Sequence, residues 1–375
     1  MNTSTYTVKS GDTLSIIAEK KLGSASKWRL LADINNLSNP NNLRMGQKLQ
    51  IPSEFSESPN VVNTGKGINP PTKEQIQVFT EDKTVYAKIE SEENWFRIGK
   101  LFRKGLFRNG TQEPEKFITD NAQALEGLNL SQSDINVILA TSENEGNLDA
   151  VNTWDNQFIS FGMFQWTAGG KNAAGELAAL LARIKENNPD DFHHYWGQFG
   201  LDIANTNLKT GWITLDGQIL KSEQQKSVLR EPIWAYRFAQ AGTDEQIKAL
   251  EIAHAVGRIN QFYFTSTTKL KGHKLSELIT SELGVALLLD NHVNRPAYVF
   301  PCVASAIESC GLQPADMVQG NSDQERQVIE KYLKIRESYG RSPMTNAQHR
   351  GKVTQKYVQK GIISDDRDSF KSNQM

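Results

Sequence analysis

The chain has 375 residues, 38% of them hydrophobic and 23% charged, enough for two or three domains with a sizeable core. A formal net charge of -1 excludes a global field that would draw it onto nucleic acid or an anionic envelope. No apolar run approaches the roughly 18 residues of a membrane span.

The start, Met1 to Tyr6, has neither a basic n-region nor an apolar h-region, so it does not read as a signal peptide. Tyr6-Thr7-Val8 alternates like a strand. Ser10-Gly11-Asp12-Thr13 is a turn that also caps a helix carrying Leu14, Ile17 and Ala18. A second helix is predicted from about Lys27 to Asn35. Asn39-Pro40-Asn41-Asn42 is a turn cluster, and Gln47 to Pro52 is a closing strand. The predicted order is β-α-α-β.

The V-x-x-G-D-T-L start, the N-N-L middle and the L-x-x-G-Q-x-L-x-I-P end resemble a LysM module over its whole length. The resemblance implies binding of N-acetylglucosamine-containing glycans, in peptidoglycan or chitin. It puts Gly11, Asp12, Thr13 and Leu14 on one side of a groove, and Asn39, Pro40, Asn41, Asn42 and Leu43 on the other. LysM modules also serve as docking pieces in phage-like tail baseplates. Residues 1–53 are therefore expected to be a small βααβ LysM unit. Residues 54–80, rich in Ser, Pro, Asn, Gly and Thr, are expected to be a linker. A tether of this kind raises the effective concentration of the C-terminal domain near an anchored glycan.

Residues 81–365 read as one mainly helical α+β domain, with 366–375 as a C-terminal tail. Val85 to Ile89 suits a short strand. Residues 95–107 are apolar and basic, suiting a core helix or hairpin. Helices are predicted at about 114–126, 132–145, 171–187, 222–240, 243–258, 274–290, 297–311 and 322–338. The other strand-like piece is Gly211 to Leu215. Cys302 and Cys310 fall eight residues apart on a predicted helix. That is about 12 Å along its axis, too far for a disulfide. No His at ligand spacing joins them, and neither a metal nor a cofactor is expected. Asp290 to Pro296 is a polar run at a helix junction, because Pro296 cannot sit inside a helix.

The segment from Leu139 to Trp166 is where chemistry is expected. Ile135, Ile138 and Leu139 form one apolar face, and Glu143 extends it. Desolvation there would favour the neutral carboxyl, as a general acid requires. Glu145, about 200° around the helix, would point elsewhere. Glycosidic cleavage needs two carboxylates in different environments. Asp155 is the candidate partner, and Asp149 a weaker one.

Glu143, Trp154 and the run Phe161-Gly162-Met163-Phe164-Gln165 resemble the corresponding stretch of goose-type lysozymes and lytic transglycosylases. There a catalytic Glu ends a helix, with a G-L-M-Q-like run beyond it. Here the spacing from Glu143 to Gln165 is 22 positions. Ser142-Glu143-Asn144 also resembles the acid segment of chitosanases, which share the lysozyme-like core. There is no Ser directly after Glu143, and residues beyond about 200 have no counterpart. The resemblance implies Glu143 as general acid. Ser160 and Gln165 would line the cleft floor, and Phe161, Trp154 and Trp166 would contact sugar. A Glu143 to Asp155 separation of about 6.5–9.5 Å implies inversion, and about 5–5.5 Å retention. With Asp155 remote, Glu143 acts alone and the product is an anhydro-sugar.

The sequence thus predicts a peptidoglycan hydrolase, a muramidase cutting between N-acetylmuramic acid and N-acetylglucosamine and anchored by LysM. Alternatives are a lytic transglycosylase, a chitinase or chitosanase, and a non-enzymatic tail or injection-system baseplate protein. The expected partner is wall glycan, with a phage-like tail or injection apparatus as a second, and no nucleic acid. The expected route is cytoplasmic synthesis, then action on the wall after lysis or non-classical delivery.

Overall fold

The computed structural model describes residues 3–9, 12–22, 31–32, 34–35, 37, 43–52, 76–89, 93–341 and 343–373. The chain divides into two compact units, Met1–Pro70 and Pro71–Met375.

In the first unit, β1 (Thr3–Thr7) pairs antiparallel with β2 (Lys48–Pro52), Thr5 lying opposite Gln50. Helix α1 (Leu14–Leu22) comes after the first strand. Leu31, Ala32 and Ile34 are helical, within the predicted second helix. Val8, Leu14, Ile17, Ala18, Leu31, Leu49 and Ile51 form one core, and the unit has a β-α-β arrangement, the coarser form of the predicted β-α-α-β order.

The second unit opens with β3 (Ile76–Glu81), β4 (Thr84–Ile89), β5 (Phe96–Phe102) and β6 (Gly105–Arg108). Helices α2 (Pro114–Asp120), α3 (Ala122–Leu125) and α4 (Gln132–Ser142) come next. The chain then returns to the sheet through β7 (Val151–Asn152), β8 (Ser160–Phe161) and β9 (Trp166–Thr167). All seven strands pair antiparallel in sequence order. After α5 (Glu176–Asn187) and α6 (Pro189–Tyr195), a small sheet is formed by β10 (Leu201–Ala204), β11 (Trp212–Leu215) and β12 (Gln218–Ile219). The remaining helices are α7 (Glu223–Lys226), α8 (Pro232–Ala241), α9 (Glu245–Asn260), α10 (Leu275–Leu278), α11 (Glu282–Asn294), α12 (Val299–Ser309), α13 (Pro314–Val318), α14 (Ser322–Ser338) and α15 (Ala347–Gln359). The unit is mainly helical, with antiparallel strands.

One sheet face is apolar and buried, carrying Val85, Ala87, Ile98, Leu106, Val151 and Phe161. Phe96 meets Tyr236 of α8 edge-on at 6.0 Å. The other face of β3–β6 is exposed, as antiparallel sheets permit. Lys226 ends α7 in an unusual setting. It is 2% exposed, and its ammonium donates to the carbonyls of Ala168 (2.8 Å), Gly169 (2.8 Å), Gly170 (3.0 Å) and Ala173 (2.7 Å). This one cation organises the loop after β9.

Several expectations are corrected. Strand β3 starts at Ile76, inside the expected linker. The expected tail is part of the body: Phe370 is buried against Tyr263 at 5.5 Å, and its amide donates to the Thr280 carbonyl. Of the two forms expected for residues 95–107, core helix or hairpin, the β5–β6 hairpin is the one present, with Arg103 at positive φ in its turn. The helix expected over 222–240 is two, because Pro232 begins α8. That over 274–290 breaks at Ile279, and Ser281 caps α11 by accepting from the Gly284 amide at 3.0 Å. Cys302 and Cys310 are free thiols, Cys302 buried and Cys310 half-buried.

Candidate active site

Helix α4 starts from a capping box in which Ser131 accepts from the Asp134 amide and Asp134 accepts from the Ser131 amide. The regular helix stops at Ser142, and Glu143 is the C-cap residue. Beyond it the amides of Asn144 and Glu145 bond to the carbonyls of Thr141 (3.1 Å) and Ser142 (2.9 Å), tightening the chain into i→i−3 turns. The helical wheel therefore fails at this corner. Glu143 is exposed rather than on the buried face, and it is Glu145 that turns inward.

Glu145 and Asn144 are held by the distant helix α15. The Arg350 guanidinium pairs with Glu145 Oε1, donates to Asp290 Oδ1 from Nε (2.9 Å) and Nη2 (2.5 Å), and reaches the Asn144 carbonyl at 2.8 Å. Asn144 returns a bond to the Arg350 carbonyl at 3.1 Å. Asp290, fully buried, also pairs with buried Arg336 at 2.8 Å. Burial raises the Glu145 carboxyl to about 7, and Asp290 adds to that; Arg350 opposes it. On the exposed side of the corner, buried Tyr357 donates to Glu115 Oε2 at 3.0 Å and lies beside the Glu143 carboxylate. Burial, then these carboxylates, push its phenol up.

The same corner is stitched to the run from Ser160 to Gln165. The Gly146 amide donates to the Met163 carbonyl at 2.8 Å. Gln165 Oε1 accepts from Ser160 Oγ (2.8 Å) and from Asn152 Nδ2, while its own side-chain amide donates to the Gly162 carbonyl at 2.8 Å. Gly162 has φ +77°, and a Cβ there would meet Glu251 Oε2 at 2.3 Å. Glycine is required on both counts. Glu251 is fully buried behind this run, and desolvation raises its carboxyl well above the usual range.

Thus Ser160 and Gln165 come together, next to the turn just past Glu143. The other expected residues do not all join them. Phe161 and Trp166 are buried, packed on Phe238 (5.3 Å) and on Phe164 and His254, so they are core and not sugar platforms. Asp149 is buried and structural, accepting from the Thr111 (2.6 Å) and Gln112 (2.8 Å) amides and pairing with Arg108. Asp155 caps its own turn by accepting from the Gln157 amide at 2.8 Å. It lines a groove of about 280 Å³ with Arg103, Lys104, Trp154 and Asn156; Glu143 does not line that groove. Trp154 is half-buried there, with Phe102 edge-on at 5.0 Å and Arg103 over its ring at 4.7 Å. Sequence reasoning misses Arg350, Tyr357 and the role of Glu145. Their contacts span some 200 residues (Arg350 and Glu145 are 205 apart), which no local pattern signals.

In the N-terminal unit, Asp12 accepts from the Lys9 amide (2.8 Å) and Tyr6 Oη (2.7 Å), which hold its carboxyl below the usual range. Thr13 is exposed, whereas Leu14 is buried in the core of the unit. Gly11, Asn39, Pro40, Asn41 and Asn42 lie outside the described residues.

The LysM domain family matches residues 6–52. The N-terminal unit is a LysM domain. A similar segment occurs in an uncharacterized protein of Deinococcus radiodurans, 51% identical over 47 residues, covering 12% of this chain and 19% of that protein. No solved structure matches the chain. The LysM domain implies association with peptidoglycan or a related glycan. Among the described residues no group of His, Cys, Asp and Glu side chains could hold a metal ion, and no helix is long and apolar enough to cross a membrane.

Proposed function

We propose that the chain is a wall-directed glycosidase with Glu143 as its general acid, tethered to its substrate by the LysM domain. The observation that carries this reading is the corner itself. An exposed carboxylate ends a buried helix, and the next turn is bonded through Gly146 to the strand-loop that carries Ser160 and Gln165. A helix-end acid beside a polar sheet floor is an arrangement that can protonate a glycosidic oxygen while the sugar is held. The bond proposed is that between N-acetylmuramic acid and N-acetylglucosamine, met on a wall reached after release or delivery from the producing cell.

The position of Asp155 favours the lytic transglycosylase form of this reading. With Asp155 capping its own turn in another groove, Glu143 would serve alone. It would give its proton to the leaving oxygen. The sugar's own C6 hydroxyl would then attack C1 and return its proton to the Glu143 carboxylate. Anhydro-muropeptides from purified peptidoglycan, detected by mass spectrometry, would support this form; reducing-end products would support hydrolysis. In either form Glu143→Gln should lower the turnover of peptidoglycan by at least about 100-fold, without loss of sedimentation with insoluble wall. Turnover equal to wild type would remove Glu143 from the role.

A further inference from the structure

The solvent face of β3–β6 is not used by the corner at Glu143, yet it is built unlike an ordinary surface. Phe79 stacks on Tyr86 at 4.8 Å and meets Trp95 edge-on at 4.6 Å, with Lys88 over the Trp95 ring. Phe102 lies 6.5 Å from Phe107 and 5.0 Å from Trp154. Phe102 is 44% exposed and Phe107 43%. Exposed aromatics in mutual contact form a patch, not scattered single residues.

The strand register makes this face continuous with the candidate floor. Lys100 lies opposite Phe107, Phe107 opposite Asn152, and Asn152 opposite Ser160. Directly opposed residues point to the same side of a sheet. From Phe79 on β3 to Ser160 on β8 is five strand steps, about 24 Å across the sheet. Cations outnumber carboxylates there. Strands β4, β5 and β6 contain no Asp or Glu, β3 contributes exposed Glu81, and exposed Arg97 and Lys100, with Phe107, line a groove of about 220 Å³. Arg103 and Lys104 line a second groove, together with Asp155.

We propose that this face is a binding surface for a glycan strand bearing carboxylate groups, such as peptidoglycan with its acidic peptide stems. Aromatic faces take the sugar rings, and the Arg97 and Lys100 side chains take carboxylates of the stems. The inference rests on the reading of the chain as wall-directed, and it adds a site outside both the LysM domain and the Glu143 corner. Charge complementarity selects the occupant: a neutral chitin strand would leave the cations without partners.

The test is radical footprinting of the full chain in the Glu143→Gln background, so that the probe stays intact. The probes are a peptidoglycan tetrasaccharide with tripeptide stems, chitotetraose, and anionic phospholipid vesicles. We expect the stem-bearing glycan to protect Trp95, Phe102 and Phe107 at least five-fold more than chitotetraose at equal concentration. Arg97→Glu/Lys100→Glu should remove that protection while leaving protection in residues 6–52 and the melting temperature unchanged. Equal protection by both glycans, no protection, or stronger protection by vesicles overturns the proposal. Absence of this protection, with the wild-type chain still degrading wall, would sink the platform alone. Protection in the Glu143→Gln chain, with the wild-type chain degrading no wall, would sink the glycosidase reading alone.

Discussion

Glu143 and Glu145 stand two positions apart and meet opposite surroundings, one exposed beside Tyr357 and the other paired with Arg350. The raised value of Glu145, about 7, lies above that of the unfolded chain. The folded state therefore holds this proton more tightly. The stability it contributes is complete below about pH 4.5 and is lost as pH rises through about 7. Subtracting the urea-denaturation curve of Glu145→Gln from that of wild type should leave a difference that declines over this window. A flat difference would show that Glu145 does not titrate there. Lys226 offers a second test on a single side chain. Lys226→Met keeps the length of the side chain but strands four carbonyls, and should cost about 3 kcal/mol. Chemical denaturation would measure this, and an unchanged midpoint would mean the loop repairs itself with water.

Between elements, the decisive contact joins the end of α4 to α15. Arg350 serves two carboxylates at once, and its loss leaves Asp290 and Glu145 buried with less compensation. Arg350→Met should destabilise the domain by about 3–5 kcal/mol and lower turnover even where the protein remains folded. A variant with reduced stability and full turnover would separate the tie from the chemistry. Element types are partly legible in the sequence. Leu14, Ile17 and Ala18 announce α1 by their spacing, and Val85 to Ile89 announces β4 by alternation. Strands β7, β8 and β9 are not legible, because two residues cannot display a period. Phe102 and Phe107 hide the alternation of the hairpin, since they are apolar on the exposed face. The facing argument for Glu143 fails because it carries helical geometry past Ser142, where the helix ends.

Over the full chain, the LysM domain is readable because its turn and strand residues are close in sequence. The corner at Glu143 is readable only as a position, because its supports come from Asp290, Arg350 and Tyr357. The C-terminal residues obey the same rule. Phe370 is buried and Arg367 pairs with Glu325 at 3.1 Å. Truncation after Ile363 should therefore cost at least the roughly 3–5 kcal/mol of one deleted core aromatic, seen as a lowered melting temperature; an unchanged one would restore the view of this segment as a tail. The tie between Glu145 and Arg350 also bears on the order of synthesis. A nascent chain that has released Glu143 from the ribosome still lacks the cation that sets the adjoining turn, and the 205 residues from Glu145 to Arg350 must be added before it arrives. Fragments from interrupted translation would then carry Glu143 and Glu145 without Arg350, so this corner would be set only in chains extended past Arg350.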